Sequence, residues 1–175
     1  MTAPDPANTP PHVMVIGGTG MLAGLCRTLA DRGHPVSVLA RRNRDLGPGV
    51  GCFACDYKDP DSLDAAMSEA IDELGPIAVL ISWIHGTAPD AAEQAHRIAS
   101  PERHLRILGS ASAKRPAPGP SEAGCERITL GFALDGPASR WLTHDEICEG
   151  VLHAFDHPRP ATIVGVVEPW ERRPS

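Results

Sequence analysis

Val13-Met-Val-Ile-Gly-Gly-Thr-Gly-Met-Leu-Ala-Gly24 decides how this chain is read. Residues 13–16 are a short β-branched, apolar run of the kind that builds a buried strand. The glycines that follow permit a turn that bulkier residues would block, and from Met21 to Leu29 apolar positions recur at helical spacing. Gly18-x-Gly20-x-x-Ala23 thus sits between a strand and a helix, the context that gives a glycine fingerprint of the dinucleotide type its meaning. In that pattern one glycine makes the turn, the second lets backbone approach a pyrophosphate, and a small third residue lets helix pack on strand. The helix start adds free N–H groups and the positive end of a dipole. Gly17, Gly18, Thr19, Gly20, Met21 and Leu22 are the candidate phosphate-binding residues.

Outward from this turn, strand and helix patterns alternate. Gly33 stops the first helix, residues 35–40 read as a second strand, and residues 51–56 as a shorter third. Asp59-Pro60 has the form of an N-cap followed by proline at the first helical position, and Gly75-Pro76 ends the helix it opens. Residues 77–84 are a continuous apolar strand, buried on both faces. Asp90 opens a weaker helix to about Ala99, and residues 104–108 form a fifth strand. Pro116, Pro118 and Pro120 argue against a helix in residues 113–124. Residues 127–134 resume as a strand. Thr143 and Glu146 then make a capping box, with Leu142 and Ile147 placed for a hydrophobic staple on a helix reaching Phe155. Residues 161–167 supply the last strand. The expected fold is α/β: a Rossmann-type, doubly wound, mainly parallel sheet in a three-layer α/β/α arrangement, with strand order beginning 3-2-1-4. Residues 12–168 form its single domain, between a disordered proline-rich arm (1–11) and a C-terminal tail (169–175).

A chain of 175 residues buries a sizeable core without disulfides or metals. With 16 basic against 22 acidic residues it offers no overall basic face for nucleic acid, and suits a small-molecule substrate. No apolar run approaches the ~20 residues that span a bilayer, and residues 1–11 lack the apolar core of a signal peptide. The expectation is a cytoplasmic protein with no membrane partner. Five cysteines, an odd number, argue for thiols rather than a disulfide framework. Cys52-Phe-Ala-Cys55 has redox or zinc spacing, but within a strand its ends point to opposite faces, and no metal site is expected.

Ligands of such sheets bind at the carboxyl ends of the strands, near the point where strand order reverses. Ser82-Trp83-Ile84-His85-Gly86 and Gly109-Ser-Ala-Ser112 lie at two of these ends, and Arg41-Arg42 and Asp56-Tyr57 at two others. Arg41 and Arg42 fall about 20 residues past the fingerprint, where an NAD-binder places an acid for the ribose. Arginine there suits a 2′-phosphate, through its charge and planar donor fork, so the cofactor expected is NADP (NADPH). Ser82 and Trp83 complete the expected cofactor contacts.

The opening resembles the short-chain dehydrogenase/reductase superfamily, especially its atypical members with a Gly-x-x-Gly-x-x-Gly/Ala turn, matched by Gly17, Gly20 and Ala23. Asp56-Tyr57 resembles the family's Asp-hydrophobic pair, whose carboxylate meets the adenine amino group, and Gly109-Ser-Ala-Ser112 resembles the strand end that carries its catalytic serine. Val-Ile-Gly-Gly-Thr-Gly-Met-Leu, Trp-Ile-His, Ser-Arg-Trp-Leu-Thr-His and Glu-Pro-Trp also recur in small bacterial proteins of this type. The resemblance runs from Val13 to Trp170.

One departure matters. The superfamily's proton donor is the tyrosine of Tyr-x-x-x-Lys after the fifth strand, whereas the one tyrosine here is Tyr57. The helix that carries this pair also forms the family's pairing surface, so oligomeric state is not carried over and a homo-oligomer stays an option. His85 is the candidate proton donor, since an imidazole titrates near neutral pH. Ser110 or Ser112 is placed to hydrogen-bond a carbonyl, and Trp83 and Trp141 to wall an apolar pocket. The resulting expectation is an NADP-dependent reductase of a small carbonyl or imine-like substrate. Its rivals are an NADP(H)-binding module that catalyses nothing, and a methyltransferase, whose S-adenosylmethionine would want an acid after the second strand.

Overall fold

The computed structural model describes residues 9–114 and 124–175. β1 (His12–Ile16), β2 (Val36–Ala40), β3 (Val50–Ala54), β4 (Ile77–Trp83), β5 (Arg103–Gly109), β6 (Glu126–Leu130) and β9 (Ala161–Val164) form one sheet in the order β3-β2-β1-β4-β5-β6-β9. Every pairing in it is parallel. Strand order reverses between β1 and β4, which opens a crevice at their carboxyl ends. All five residues of β1 are buried, as expected of a central strand covered on both faces.

α1 (Ala23–Asp31) and α4 (His144–Asp156) cover one face; α2 (Pro60–Leu74) and α3 (Ala91–Ala99) cover the other. Leu22, Leu25 and Leu29 recur at intervals of three and four and are wholly buried on the α1 face. Each contributes about 1.5–3 kcal/mol through burial. α2 begins where the sequence predicts: the Asp59 side chain accepts from the Asp61 N–H at 3.0 Å, and Pro60 needs no donor of its own. Gly75, at φ 87°, ends it. No helix among the described residues is long and apolar enough to cross a membrane.

Three expectations change. The strand over 127–134 is two strands, broken at Gly131, where a Cβ would lie 2.0 Å from the Val166 carbonyl oxygen. β7 (Phe132–Asp135) leaves the sheet and pairs antiparallel with β8 (Ala138–Trp141), a hairpin the sequence reading did not find. The last strand stops at Val164, because Gly165 turns at φ 76° and Val166 bridges back to Phe132. Of residues 113–124, where the prolines argue against a helix, Ala113 and Lys114 close a short 3-10 turn (Ser110–Lys114), while residues 115–123 lie outside the described residues, as do residues 1–8 of the arm. Cys52 and Cys55 pack on opposite faces of the sheet.

The capping box at α4 forms as expected. Thr143 Oγ1 accepts from the Glu146 N–H at 3.2 Å, and the Glu146 carboxylate accepts from the Thr143 N–H at 2.8 Å. Arg140 donates to both Glu146 oxygens at 2.9 Å; these bonds, with the Thr143 N–H, hold the Glu146 carboxyl down at about 2. Thr143→Ala should lower stability by about 1 kcal/mol and leave nucleotide affinity unchanged. A thermal melt run beside a binding titration checks this; lost binding at an unchanged Tm would move Thr143 into the site.

Candidate nucleotide and catalytic site

Each glycine of the β1–α1 turn has its own task. Gly17 adopts φ +85°, and a Cβ there would meet the Trp83 carbonyl oxygen at 2.7 Å, so it makes the tight turn against β4. Gly18 is a packing glycine: its Cβ would stand 3.0 Å from Cys26, Val15 and Val38 side chains. Gly20 has nothing within 4 Å of its Cβ position and faces open space. The working pattern is therefore Gly17-x-x-Gly20-x-x-Ala23, rather than one counted from Gly18. α1 starts beyond Leu22 with no side-chain cap; its first N–H, of Ala23, donates to the Gly20 carbonyl at 3.2 Å, and the N–H groups after it have no capping side chain in the way of an anion.

A cavity of about 260 Å³ on one side of this turn is lined by Arg41, Asp56, Tyr57, Lys58, His85 and Thr87. It gathers Arg41 with the Asp56-Tyr57 pair; Arg42 is exposed and does not line it. Asp56 accepts from the Lys58 N–H at 3.1 Å, which fixes its carboxylate at the rim. Arg44, passed over in the sequence, donates to the Thr19 carbonyl at 3.0 Å and so brings a second guanidinium to the glycine turn.

Trp83 separates two further cavities. The larger, about 560 Å³, includes His85, Glu93, Arg106 and Ser112 in its wall; the smaller, about 270 Å³, is walled by Trp83, Leu130, Trp141 and Leu142, with Ser110 and Arg173. His85 and Ser110 therefore do not share a cavity. The serine on the His85 side is Ser112, which is 5% exposed and whose hydroxyl has no partner among the described residues. Ser110 Oγ accepts from Arg173 Nε at 2.7 Å. Arg173 itself lies over the Trp141 and Trp170 rings, and Lys114 Nζ sits 4.2 Å from the Trp170 centroid. The tail assigned to residues 169–175 is thus part of the site wall. Arg172 pins it by donating to the Gly136 and Ala138 carbonyls at 2.5 and 2.9 Å.

One expected cofactor contact is corrected. Ser82 is 2% exposed and its hydroxyl is bonded to His104 Nε2 at 2.8 Å beneath α3, out of reach of a ligand in the crevice. Alternation explains it: Trp83, one residue on, faces the other way and lines both cavities.

The model of the NAD dependent epimerase/dehydratase family matches residues 13–115, which span the glycine turn, the cavity lined by Arg41, Asp56 and Tyr57, and both serines. The chain belongs to that family. It thereby lies within the short-chain dehydrogenase/reductase superfamily, whose cofactor is a nicotinamide dinucleotide. The 3-dehydrosphinganine reductase TSC10B of Arabidopsis thaliana is 38% identical over 82 residues, covering 40% of this chain and 24% of that protein. The chain spans about a quarter of that relative's length. Among solved structures, an apo SCOR enzyme from Clostridium thermocellum superposes with a TM-score of 0.69 at 16% identity, over 94% of this chain and 95% of that one. A short-chain dehydrogenase/reductase from Serratia marcescens gives 0.66 at 14% identity, over 89% and 96%. An actinorhodin polyketide ketoreductase solved with NADPH gives 0.63 at 13%, over 89% and 96%. At these identities the likeness is one of fold.

The family's dinucleotide fits the residues present. Gly20 leaves room for a pyrophosphate against the uncapped start of α1, and Arg41, Asp56 and Tyr57 line the cavity that would hold the adenosine end. Two contributors to this family member's site were missed in the sequence. Arg44 and Arg173 lie 24 residues or more from the glycine turn in the chain, and no spacing rule connects them to it.

Proposed function

We propose that this chain is an NADP(H)-dependent reductase of a small carbonyl or imine-like substrate that works without the superfamily's Tyr/Lys pair. The carrying observation is the arrangement around the switch point: an open glycine turn flanked by an arginine-lined cavity on one side and the Trp83-walled cavities on the other. When bound, the nicotinamide supplies hydride. The chain's own residues must then orient the substrate, exclude water and deliver a proton to the oxygen or nitrogen that gains charge. His85 stands where the adenosine-side and larger cavities meet, its ring 5.5 Å from that of Trp83, and is the proton donor in this reading. Ser112 lines the same cavity with its unpartnered Oγ buried beneath the surface, and a turn of that hydroxyl toward the cavity would let it orient the substrate's polar atom. In the smaller cavity the Arg173 guanidinium donates to Ser110, leaving the Ser110 hydrogen to point at a substrate oxygen. That same engagement of Ser110 by the tail favours a second reading, in which the chain binds NADP(H) as a sensor or partner-binding module without turnover.

Cofactor choice tests the nucleotide half. NADPH should bind more tightly than NADH, and its advantage should shrink with added salt, because exposed arginines read the extra phosphate. Exchanging Arg41 and Arg42 together for Asp should reverse the preference. Arg44→Ala should narrow it, since Arg44 reaches the glycine turn. Equal affinities of the unmodified protein for both nucleotides would overturn the NADP assignment.

A further inference from the structure

Three ligating side chains meet beneath α3, on the far side of Ser82 from the crevice. His96 projects from α3, His104 is the second residue of β5, and Cys125 directly precedes β6. His104 is 1% exposed, and His96 and Cys125 are half-buried. The two Nδ1 atoms are 3.1 Å apart, the Cys125 Sγ is 3.5 Å from His104 Nδ1, and all three donor atoms lie within 4.8 Å of one another. One ring nitrogen thus faces two partners, although a neutral imidazole nitrogen offers either a single proton or a single lone pair.

A tetrahedral zinc ion explains this spacing better. Zn–N bonds of about 2.0–2.1 Å and a Zn–S bond of about 2.3 Å set ligand separations of about 3.3 Å for N···N and about 3.5 Å for N···S. Two of the three separations are already within a few tenths of an ångström of those values. The third closes by about 1.3 Å at most, within reach of side-chain rotation. A metal on His104 Nδ1 requires the proton on Nε2, and Ser82 Oγ, 2.8 Å away, accepts it. The Cys125 thiol loses its proton to solvent on binding.

We propose that His96, His104 and Cys125 form a Zn²⁺ site that ties α3 to the starts of β5 and β6, with a fourth position for water. Two imidazoles and a thiolate select zinc over magnesium or calcium, which take oxygen ligands. The site is independent of the nucleotide crevice and does not rest on the reductase reading.

Cobalt substitution tests it on the full chain, reduced and stripped of metal. One equivalent of Co²⁺ should give a thiolate-to-cobalt charge-transfer band in the near ultraviolet, with visible bands as intense as four-coordination requires, and Zn²⁺ should displace it. Cys125→Ser should abolish the charge-transfer band, and His96→Gln should weaken Co²⁺ affinity tenfold or more. Cys52→Ser should leave the spectrum unchanged. The stacked His153/His157 pair at the exposed end of α4 offers imidazoles without sulfur, so binding there gives no such band. Absence of the band in the unmodified protein, or its persistence in Cys125→Ser, overturns the site.

Discussion

Gly20→Val should remove nucleotide binding while the protein stays folded. Nothing beyond the chain neighbours lies within 4 Å of the Gly20 Cβ position and its φ is not in the left-handed region, so a side chain branches there into open space without left-handed backbone strain. It enters the one volume that a pyrophosphate needs to approach the start of α1. Affinity for NADPH and NADH should fall together by about a hundredfold or more, the equivalent of roughly 2.7 kcal/mol. The thermal midpoint should move little. Gly17→Val makes the instructive contrast. At φ +85°, with the Trp83 carbonyl 2.7 Å from its Cβ, that substitution should damage the fold itself. Isothermal titration and melting of both variants separate the two cases. Normal nucleotide binding by Gly20→Val would show that the ligand does not lie across the turn.

The second large effect concerns the proton. Reduction of a carbonyl leaves an oxyanion, and Tyr57, the chain's one tyrosine, lines the cavity around Arg41 rather than those beyond Trp83. If His85 supplies the proton, turnover should fall as pH rises, because only the protonated ring can give it. His85→Phe should then cost ~10²–10⁴-fold in turnover, as loss of a general acid does. Phenylalanine keeps a ring beside Trp83, so NADPH affinity should change far less than turnover. Ser112→Ala and Ser110→Ala should each lower turnover without moving the pH profile, because a serine orients rather than titrates; the larger effect marks the cavity that holds the substrate. Full activity of the His85 variant with its pH profile unchanged would eliminate the histidine mechanism. Tight NADPH binding with no oxidation across a carbonyl and imine panel would select the binding-module reading instead.

The sequence by itself determined the sheet and its central crevice. The Asp59-Pro60 start of α2 and the Thr143/Glu146 box arise from contacts within a few residues of one another, and strands β1 and β4 show along the chain as short apolar runs. Periodicity and capping chemistry record such short-range contacts directly. Once the alternation of strands and helices is known, the handedness of parallel crossovers leaves few strand orders, and the observed order is the expected one. The sequence did not reveal the break at Gly131, which exists because the Val166 carbonyl, 35 residues later, occupies the space a side chain would need.

Only the tertiary structure decided which polar groups meet. Ser82 reads as a crevice residue by its position at a strand end, yet pleating aims it at His104. Ser110 and Ser112 are two residues apart and line different cavities, one walled by Arg173 from the tail and the other shared with His85. Arg44 reaches Thr19, and Cys125 reaches His104, across gaps in the chain that no local pattern bridges. The physical reason is common to all of them. Backbone geometry and apolar burial repeat with a period and can be read along the chain. The partners of a side chain, by contrast, are set by where separate elements come to lie in the packed fold.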